Sequence, residues 1–187
     1  SVETVGEHGD CEVLAATRPA DVDAPSFVEP REFPATVDGV SLSLVSVPGV
    51  FSATGLDHGT RLLLETAQVR DGDRVLDLCC GYGAAGAWAA NAADCSVVLT
   101  DDDRVATRCA ECSLAASGAD GAVVTADGTA GVEREGFDSV LCNPPTHAGD
   151  DLLRELFAGA RRVLSRAGRL WVVHHRDLDL RPQLSRA

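Results

Sequence analysis

Arg74-Val75-Leu76-Asp77-Leu78-Cys79-Cys80-Gly81-Tyr82-Gly83-Ala84-Ala85-Gly86 decides the fold. A short apolar run carrying Asp77 enters Gly81-Tyr82-Gly83 and opens into an Ala-rich stretch. Strand, glycine turn and helix in that order begin a βαβ unit, and the glycines admit close backbone approach to a nucleotide-like ligand. Gly81, Gly83 and Gly86 also satisfy the GxGxxG pattern of dinucleotide-binding folds, with Asp101 twenty residues beyond Gly81.

Outward from this turn, strand and helix patterns alternate. Strands are expected at Arg74–Cys79, Ser96–Thr100, Ala122–Ala126, Phe137–Cys142 and Arg169–His174. Helices are expected at Gly83–Ala93, Asp103–Ser117 and Asp151–Leu164, the last capped by Asp150. The pattern predicts a doubly wound, Rossmann-like α/β fold with a mostly parallel sheet. Upstream, Val40-Ser41-Leu42-Ser43-Leu44-Val45-Ser46-Val47 alternates apolar and polar residues, as a half-buried strand does, and suggests a small β element before the main sheet. Residues 1–34 are acidic, bear prolines and show little periodicity, so they read as a loosely structured lead-in to a domain over 35–187.

The 187 residues suit one domain. The formal net charge is −13, and all 16 basic residues are Arg, which points to a salt-adapted, halophilic source rather than a specialised acidic function. The charge is uneven: residues 1–60 hold 10 acids and 2 Arg, whereas residues 150–187 hold 5 acids and 8 Arg. A nucleic acid would therefore meet the C-terminal end. Arg161, Arg162 and Arg166 are candidates for phosphate contact there. Seven cysteines without a secreted framework indicate a reducing cytoplasm, and Cys109-x-x-Cys112 lacks the second pair that a zinc site needs. No metal is expected. No apolar run is long enough for a bilayer and no leader is visible, so the expectation is a cytoplasmic protein with no membrane partner.

The strand end separates two cofactor readings. A dinucleotide strand runs apolar into its first glycine to receive a pyrophosphate, whereas here Asp77 precedes Gly81 by four residues. An acid at that point suits the cationic end of S-adenosylmethionine, whose methionine portion Gly81 and Gly83 would admit. Asp101 ends the second strand, where a carboxylate takes a ribose diol, although Asp102 and Asp103 stand ready as helix caps. Asp127, before Gly128, is a candidate for the adenine amine or for an ordinary turn. Thr60 precedes an apolar helical pattern, either to bind the methionine carboxylate or to cap that helix.

Asn143-Pro144-Pro145 follows the strand Phe137–Cys142. An exocyclic amine is a poor nucleophile because its lone pair is delocalised. The Asn143 amide oxygen and the Pro144 carbonyl could orient that lone pair, with Pro144 and Pro145 stiffening the loop. His147 is a candidate to stack or to shuttle a proton. His174 and His175, adjacent in sequence, make a poor metal pair.

Pro48-Gly49-Val50-Phe51-Ser52, Leu56-Asp57-x-Gly59-Thr60, Asp77-Leu78-x-Cys80-Gly81-x-Gly83, Asp101 and Asn143-Pro144-Pro145-x-His147 occur in order over about residues 45–175. Together they resemble the small-domain methyltransferase family that includes ribosomal RNA guanine-N2 methyltransferases. The resemblance implies a class I fold, S-adenosylmethionine as methyl donor and an amine acceptor, most characteristically guanine N2 in ribosomal RNA. Its usual sheet carries two further strands, so the C-terminal strands look truncated here. One departure is Thr146, where such amine methyltransferases commonly place an aromatic residue that stacks on the target. Protein-glutamine or DNA-adenine methylation, a non-catalytic S-adenosylmethionine- or RNA-binding assembly factor, and a nicotinamide dehydrogenase remain alternatives.

Overall fold

A computed structural model of the chain describes residues 2–9, 11–17, 29–132, 136–145 and 149–186. The main sheet has five strands: β5 (Arg74–Leu78), β6 (Ser96–Asp101), β7 (Ala122–Thr125), β8 (Phe137–Cys142) and β9 (Leu164–Val172). Their order is β7-β6-β5-β8-β9, and every pairing among them is parallel. The chain starts in the middle at β5, moves outward through β6 to β7, then returns to β8 on the other side. That reversal opens a crevice beyond the carboxyl ends of β5 and β8, where doubly wound sheets bind ligands.

The helices between the strands are α2 (Ala84–Ala92), α3 (Arg104–Ala116) and α4 (Asp150–Val163), preceded by α1 (His58–Thr66) and followed by α5 (Arg181–Arg186). Val75, Leu99 and Leu141 belong to the core on one face, with Leu63, Leu64, Trp88 and Leu114. Leu76, Leu78 and Val140 belong to the core on the other, with Leu156, Phe157 and Leu180. Consecutive strand residues thus enter opposite cores, the alternation expected of a sheet covered on both faces.

The last strands before the sheet are β3 (Arg31–Val37) and β4 (Val40–Ser46), paired antiparallel. The free edge of β4 is closed by Ser113 of α3 and by Ser117, the C-cap residue of that helix. Ser113 Oγ accepts from the Val45 amide at 2.8 Å and donates to the Val45 carbonyl at 3.2 Å. Ser117 Oγ repeats the arrangement on Ser43, at 3.1 and 2.9 Å. Both helix serines thus satisfy backbone groups that an unpaired strand edge would expose.

The described residues among 1–34 differ from expectation. They contain β1 (Val2–His8) and β2 (Cys11–Ala16), paired antiparallel with a bulge between Thr4 and Gly6, and β3 already begins at Arg31. Strand β2 is exposed over nearly its whole length, so it lacks the buried face whose alternation would announce it in sequence. Two further corrections concern α4 and β9. Gly149, not Asp150, is the N-cap residue of α4, and Asp150 lies in its first turn. Strand β9 starts at Leu164 rather than Arg169, with a register shift opposite Phe137/Ser139.

Candidate functional site

A cavity of about 520 Å³ lies along the carboxyl ends of β5, β6, β7 and β8 and collects Thr60, Asp77, Gly81, Asp101, Asp127, Asn143, Pro144 and Pro145. Its size is that of a small-molecule site. Of the residues predicted from sequence, Gly83 stands outside this lining, and His147 lies outside the described residues together with Thr146.

The floor begins where β5 ends. Cys79, Gly81 and Gly83 have φ of 59°, 54° and 81°, so three left-handed residues alternate within one tight turn. Gly81 has open space where a Cβ would sit, which leaves its backbone accessible from the cavity. Gly83 serves packing instead: a Cβ there would stand 2.8 Å from Ala110 Cβ and 2.9 Å from Ala110 Cα. Gly86 brings α2 against β6, since a Cβ would fall 2.5 Å from Leu99 Cδ2. The third glycine therefore serves helix–strand contact.

Asp77 is buried, and its Oδ2 accepts from the Gly86 amide at 2.7 Å. Gly83, the N-cap of α2, has no side chain to offer, so Asp77 caps the helix from the neighbouring strand. Burial pushes its carboxyl up from 3.8 to about 7; the Gly86 N–H pulls it down, and the nearby charge of Asp101 adds to the rise. The arrangement separates the two cofactor readings: a carboxylate already takes a first-turn amide that a pyrophosphate would need.

Asp101 ends β6. Its Oδ2 accepts from the Gly81 amide at 2.8 Å and its Oδ1 from the Asp103 amide at 3.0 Å. Both oxygens are held by the backbone, and each retains acceptor capacity toward the cavity. Burial raises the Asp101 pKa, while those two amides oppose the shift. The helix-capping alternative falls to Asp103, whose side chain accepts from the Val105 amide at 2.7 Å. Asp127 and Gly128 border the far side of the cavity, beyond β7, and Gly128 has φ of 55°.

On the opposite side, Asn143 follows β8. Its Nδ2 donates to Asp57 Oδ2 at 3.2 Å and to Thr60 Oγ1 at 3.0 Å. A carboxylate can only accept, so Asp57 settles which end of the amide faces it. Oδ1 is the end left for the cavity. Asp57 is also the N-cap of α1, its Oδ2 accepting from the Thr60 amide at 2.9 Å. Capping therefore belongs to Asp57 rather than Thr60, and the Thr60 hydroxyl engages Asn143. Sequence reasoning placed Asp57 in a motif without giving it a role; its position before an apolar helical pattern was the available signal.

Tyr82 closes the wall between the two halves. Its hydroxyl donates to the Gly55 carbonyl at 3.2 Å, and its ring meets Phe33 edge-on at 5.6 Å between centroids. Burial, with the charge of Asp57, pushes its phenol up to about 12, so it remains a neutral donor. All seven cysteines are free thiols, with Cys109 in the core. Arg162 Nη2 donates to Thr129 Oγ1 at 3.0 Å.

The cavity can thus hold a ribose diol at Asp101, admit a chain beside Gly81 and present an amide oxygen from Asn143. Residues 41–187 match the family model described as the methyltransferase small domain. The chain is 39% identical over 165 residues to ribosomal RNA large subunit methyltransferase G of Streptomyces griseus, covering 83% of this chain and 43% of the relative. It is 37% identical over 150 residues to ribosomal RNA small subunit methyltransferase C of Pseudomonas aeruginosa, covering 80% of this chain and 43% of the relative. Among solved structures, the 16S rRNA N2 methyltransferase RsmC of Thermus thermophilus, in complex with AdoMet and guanosine, superposes with a TM-score of 0.81 at 30% identity. That match covers 100% of this chain and 53% of the other. The chain thus spans less than half the length of the two curated relatives.

Proposed function

The chain belongs to the methyltransferase small domain family, and we propose that it is an S-adenosylmethionine-dependent N-methyltransferase acting on an exocyclic amine of guanine in ribosomal RNA. The observation that carries this reading is the clamped amide of Asn143, held by Asp57 and Thr60 on the cavity that Asp101 and Gly81 share. Relatives named as ribosomal RNA methyltransferases, and a neighbour solved with AdoMet and guanosine, support the substrate and the cofactor.

The donor set fits the cofactor. Asp101 would hold the ribose diol, Asp127 would face the adenine amine, Asp77 would balance the cationic end and Gly81 would admit the methionine portion, with Gly83 setting the turn. When bound, S-adenosylmethionine supplies an electrophilic methyl carbon. Asn143 Oδ1 and the Pro144 carbonyl would accept from the two hydrogens of the amine and so turn its lone pair toward that carbon, while Pro145 stiffens the loop. The nitrogen would gain the methyl group as the donor's sulfur–methyl bond breaks, its electron pair staying on sulfur as the neutral thioether, and the nitrogen would then release one proton. His147, next to this loop in sequence, is a candidate to stack or to take the proton. The chemistry proposed for these groups calls for no metal.

We read residues 35–187 as the methyltransferase domain and the net charge of −13 as adaptation to concentrated salt in a cytoplasmic protein. The test is incubation with a labelled methyl donor and separate fractions of ribosomal RNA, transfer RNA, DNA and ribosomal protein. Label is expected in ribosomal RNA, as N2-methylguanine. Label confined to protein or DNA would replace the substrate, and label in no fraction would remove the activity.

A further inference from the structure

The proposed chemistry gives the target amine its acceptors, but apart from the candidate His147, which lies outside the described residues, it gives the flat face of the base no partner. An aromatic platform is the usual partner of an unstacked base, and the residue after Pro145 is Thr146, which has no ring.

Phe51 lines the same cavity as Asn143, Pro144 and Pro145, yet the residue is 63% exposed. Among the described residues it is the one aromatic among the large hydrophobic side chains left exposed. The loop that carries it is firmly built. Its neighbour Val50 is buried and donates its amide to the Val47 carbonyl at 3.2 Å. Ser52 sits in the left-handed region at φ 52°, which a non-glycine residue adopts at a cost. Its hydroxyl donates to the Gly55 carbonyl at 2.7 Å, and the Gly55 amide returns a bond to the Ser52 carbonyl at 3.2 Å. The Tyr82 hydroxyl ties the same carbonyl to the cavity wall. The chain therefore spends backbone strain and hydrogen bonds on a turn that leaves an aromatic ring in solvent at the cavity mouth. Two residues beyond Gly55 come Asp57 and then Thr60, the residues that hold Asn143.

We propose that Phe51 is the platform on which the target purine base stacks, taking the place of the aromatic residue absent at position 146. The proposal rests on the methyltransferase reading above and extends it to a substrate-binding residue. Stacking tolerates any base, because every base has a π-face; selection of the amine then falls to Asn143.

The test uses 2-aminopurine riboside, a fluorescent purine that carries the same exocyclic amine as guanine, titrated into the full chain with S-adenosylhomocysteine present. Phe51→Ala is expected to weaken riboside binding by about 5- to 150-fold, the range of a lost base–aromatic stack. Phe51→Tyr and Phe51→Trp should restore it, Phe51→Leu should not, and calorimetric affinity for S-adenosylhomocysteine should stay unchanged throughout. Because Phe51 is exposed, its replacement leaves the core intact. Unchanged riboside affinity in Phe51→Ala, full rescue by Leu, or an equal loss of S-adenosylhomocysteine affinity would overturn the proposal while leaving the methyltransferase reading in place. A wild-type chain that binds no S-adenosylhomocysteine and methylates no RNA would overturn that reading, and this inference with it.

Discussion

Asn143 Nδ2 stands 3.2 Å from Asp57 Oδ2, and this contact fixes the orientation of the one side chain on which the proposed chemistry most depends. An amide free to flip would present a donor to the target amine half the time. A carboxylate at its nitrogen end excludes that arrangement, because neither oxygen of Asp57 can donate. Thr60 completes the clamp at 3.0 Å.

The clamp can be separated from the helix cap that Asp57 also provides. Ser caps a helix as well as Asp does, but its hydroxyl donates as well as accepts, so it no longer dictates which end of the Asn143 amide faces it. Asp57→Ser should therefore lower kcat by about tenfold or more with little change in melting temperature or cofactor affinity. Asp57→Ala should lower kcat similarly and also cost about 1 kcal/mol of stability through the lost cap. Undiminished turnover in both variants would remove the clamp from the mechanism.

Asp101 makes the second prediction. With both oxygens held by the Gly81 and Asp103 amides, its carboxylate is set before a ligand arrives. Asp101→Ala should weaken S-adenosylmethionine binding by ~1.5–3 kcal/mol, the scale of a charge-assisted hydrogen bond, as read by calorimetry. Wild-type affinity in the variant would take Asp101 out of the ribose site.

Asp77 gives a pH dependence with a definite sign. Its carboxyl titrates at about 7 when folded against 3.8 ordinarily, so between those values the folded state holds a proton that the unfolded state has lost. Stability then falls as pH rises from about 4 to 7 and is flat above, by up to roughly 4 kcal/mol at ~1.4 kcal/mol per pH unit. Asp77→Asn keeps an acceptor for the Gly86 amide but cannot titrate. Denaturant unfolding should show the variant gaining on the wild type from pH 5 to pH 8. A constant difference would contradict the shift. Because a cationic ligand favours the ionised acid, S-adenosylmethionine affinity should also rise over pH 6 to 8 in the wild type alone.

Salt supplies the fourth prediction. A net charge of −13 opposes compaction by self-repulsion, which added salt screens over the ~10 Å Debye length of 0.1 M and shorter lengths above it. The melting temperature should climb from dilute buffer into molar potassium chloride. A steady fall would overturn the salt-adapted reading.

The strands β5 to β8 and helices α2 to α4 were legible in sequence to within about two residues, because βα alternation writes its two periods directly into the apolar pattern. The residues gathered at the strand ends were legible for the same reason: Asp77 and Asp101 lie within the last two residues of their strands, Asp127 and Asn143 follow theirs, and a parallel sheet gathers such positions on one edge. Strands β1 and β2 were hidden because exposed strands have no buried face to alternate with. The start of β9 was hidden because Ser165-Arg166-Ala167-Gly168 carries no apolar run. The pairing of Asp57 with Asn143 joins residues 86 apart, and local pattern does not record such a contact. Phe51 lies in the Pro48–Ser52 motif, but only its exposure beside the cavity points to the task proposed for it.

The central claim, that the Asn143 oxygen activates the acceptor amine, is tested most directly by Asn143→Ala, measuring S-adenosylmethionine affinity by calorimetry and labelled methyl transfer to ribosomal RNA in the same preparation. The account predicts nearly intact cofactor affinity with transfer lowered by about tenfold or more. Transfer at the wild-type rate would contradict it.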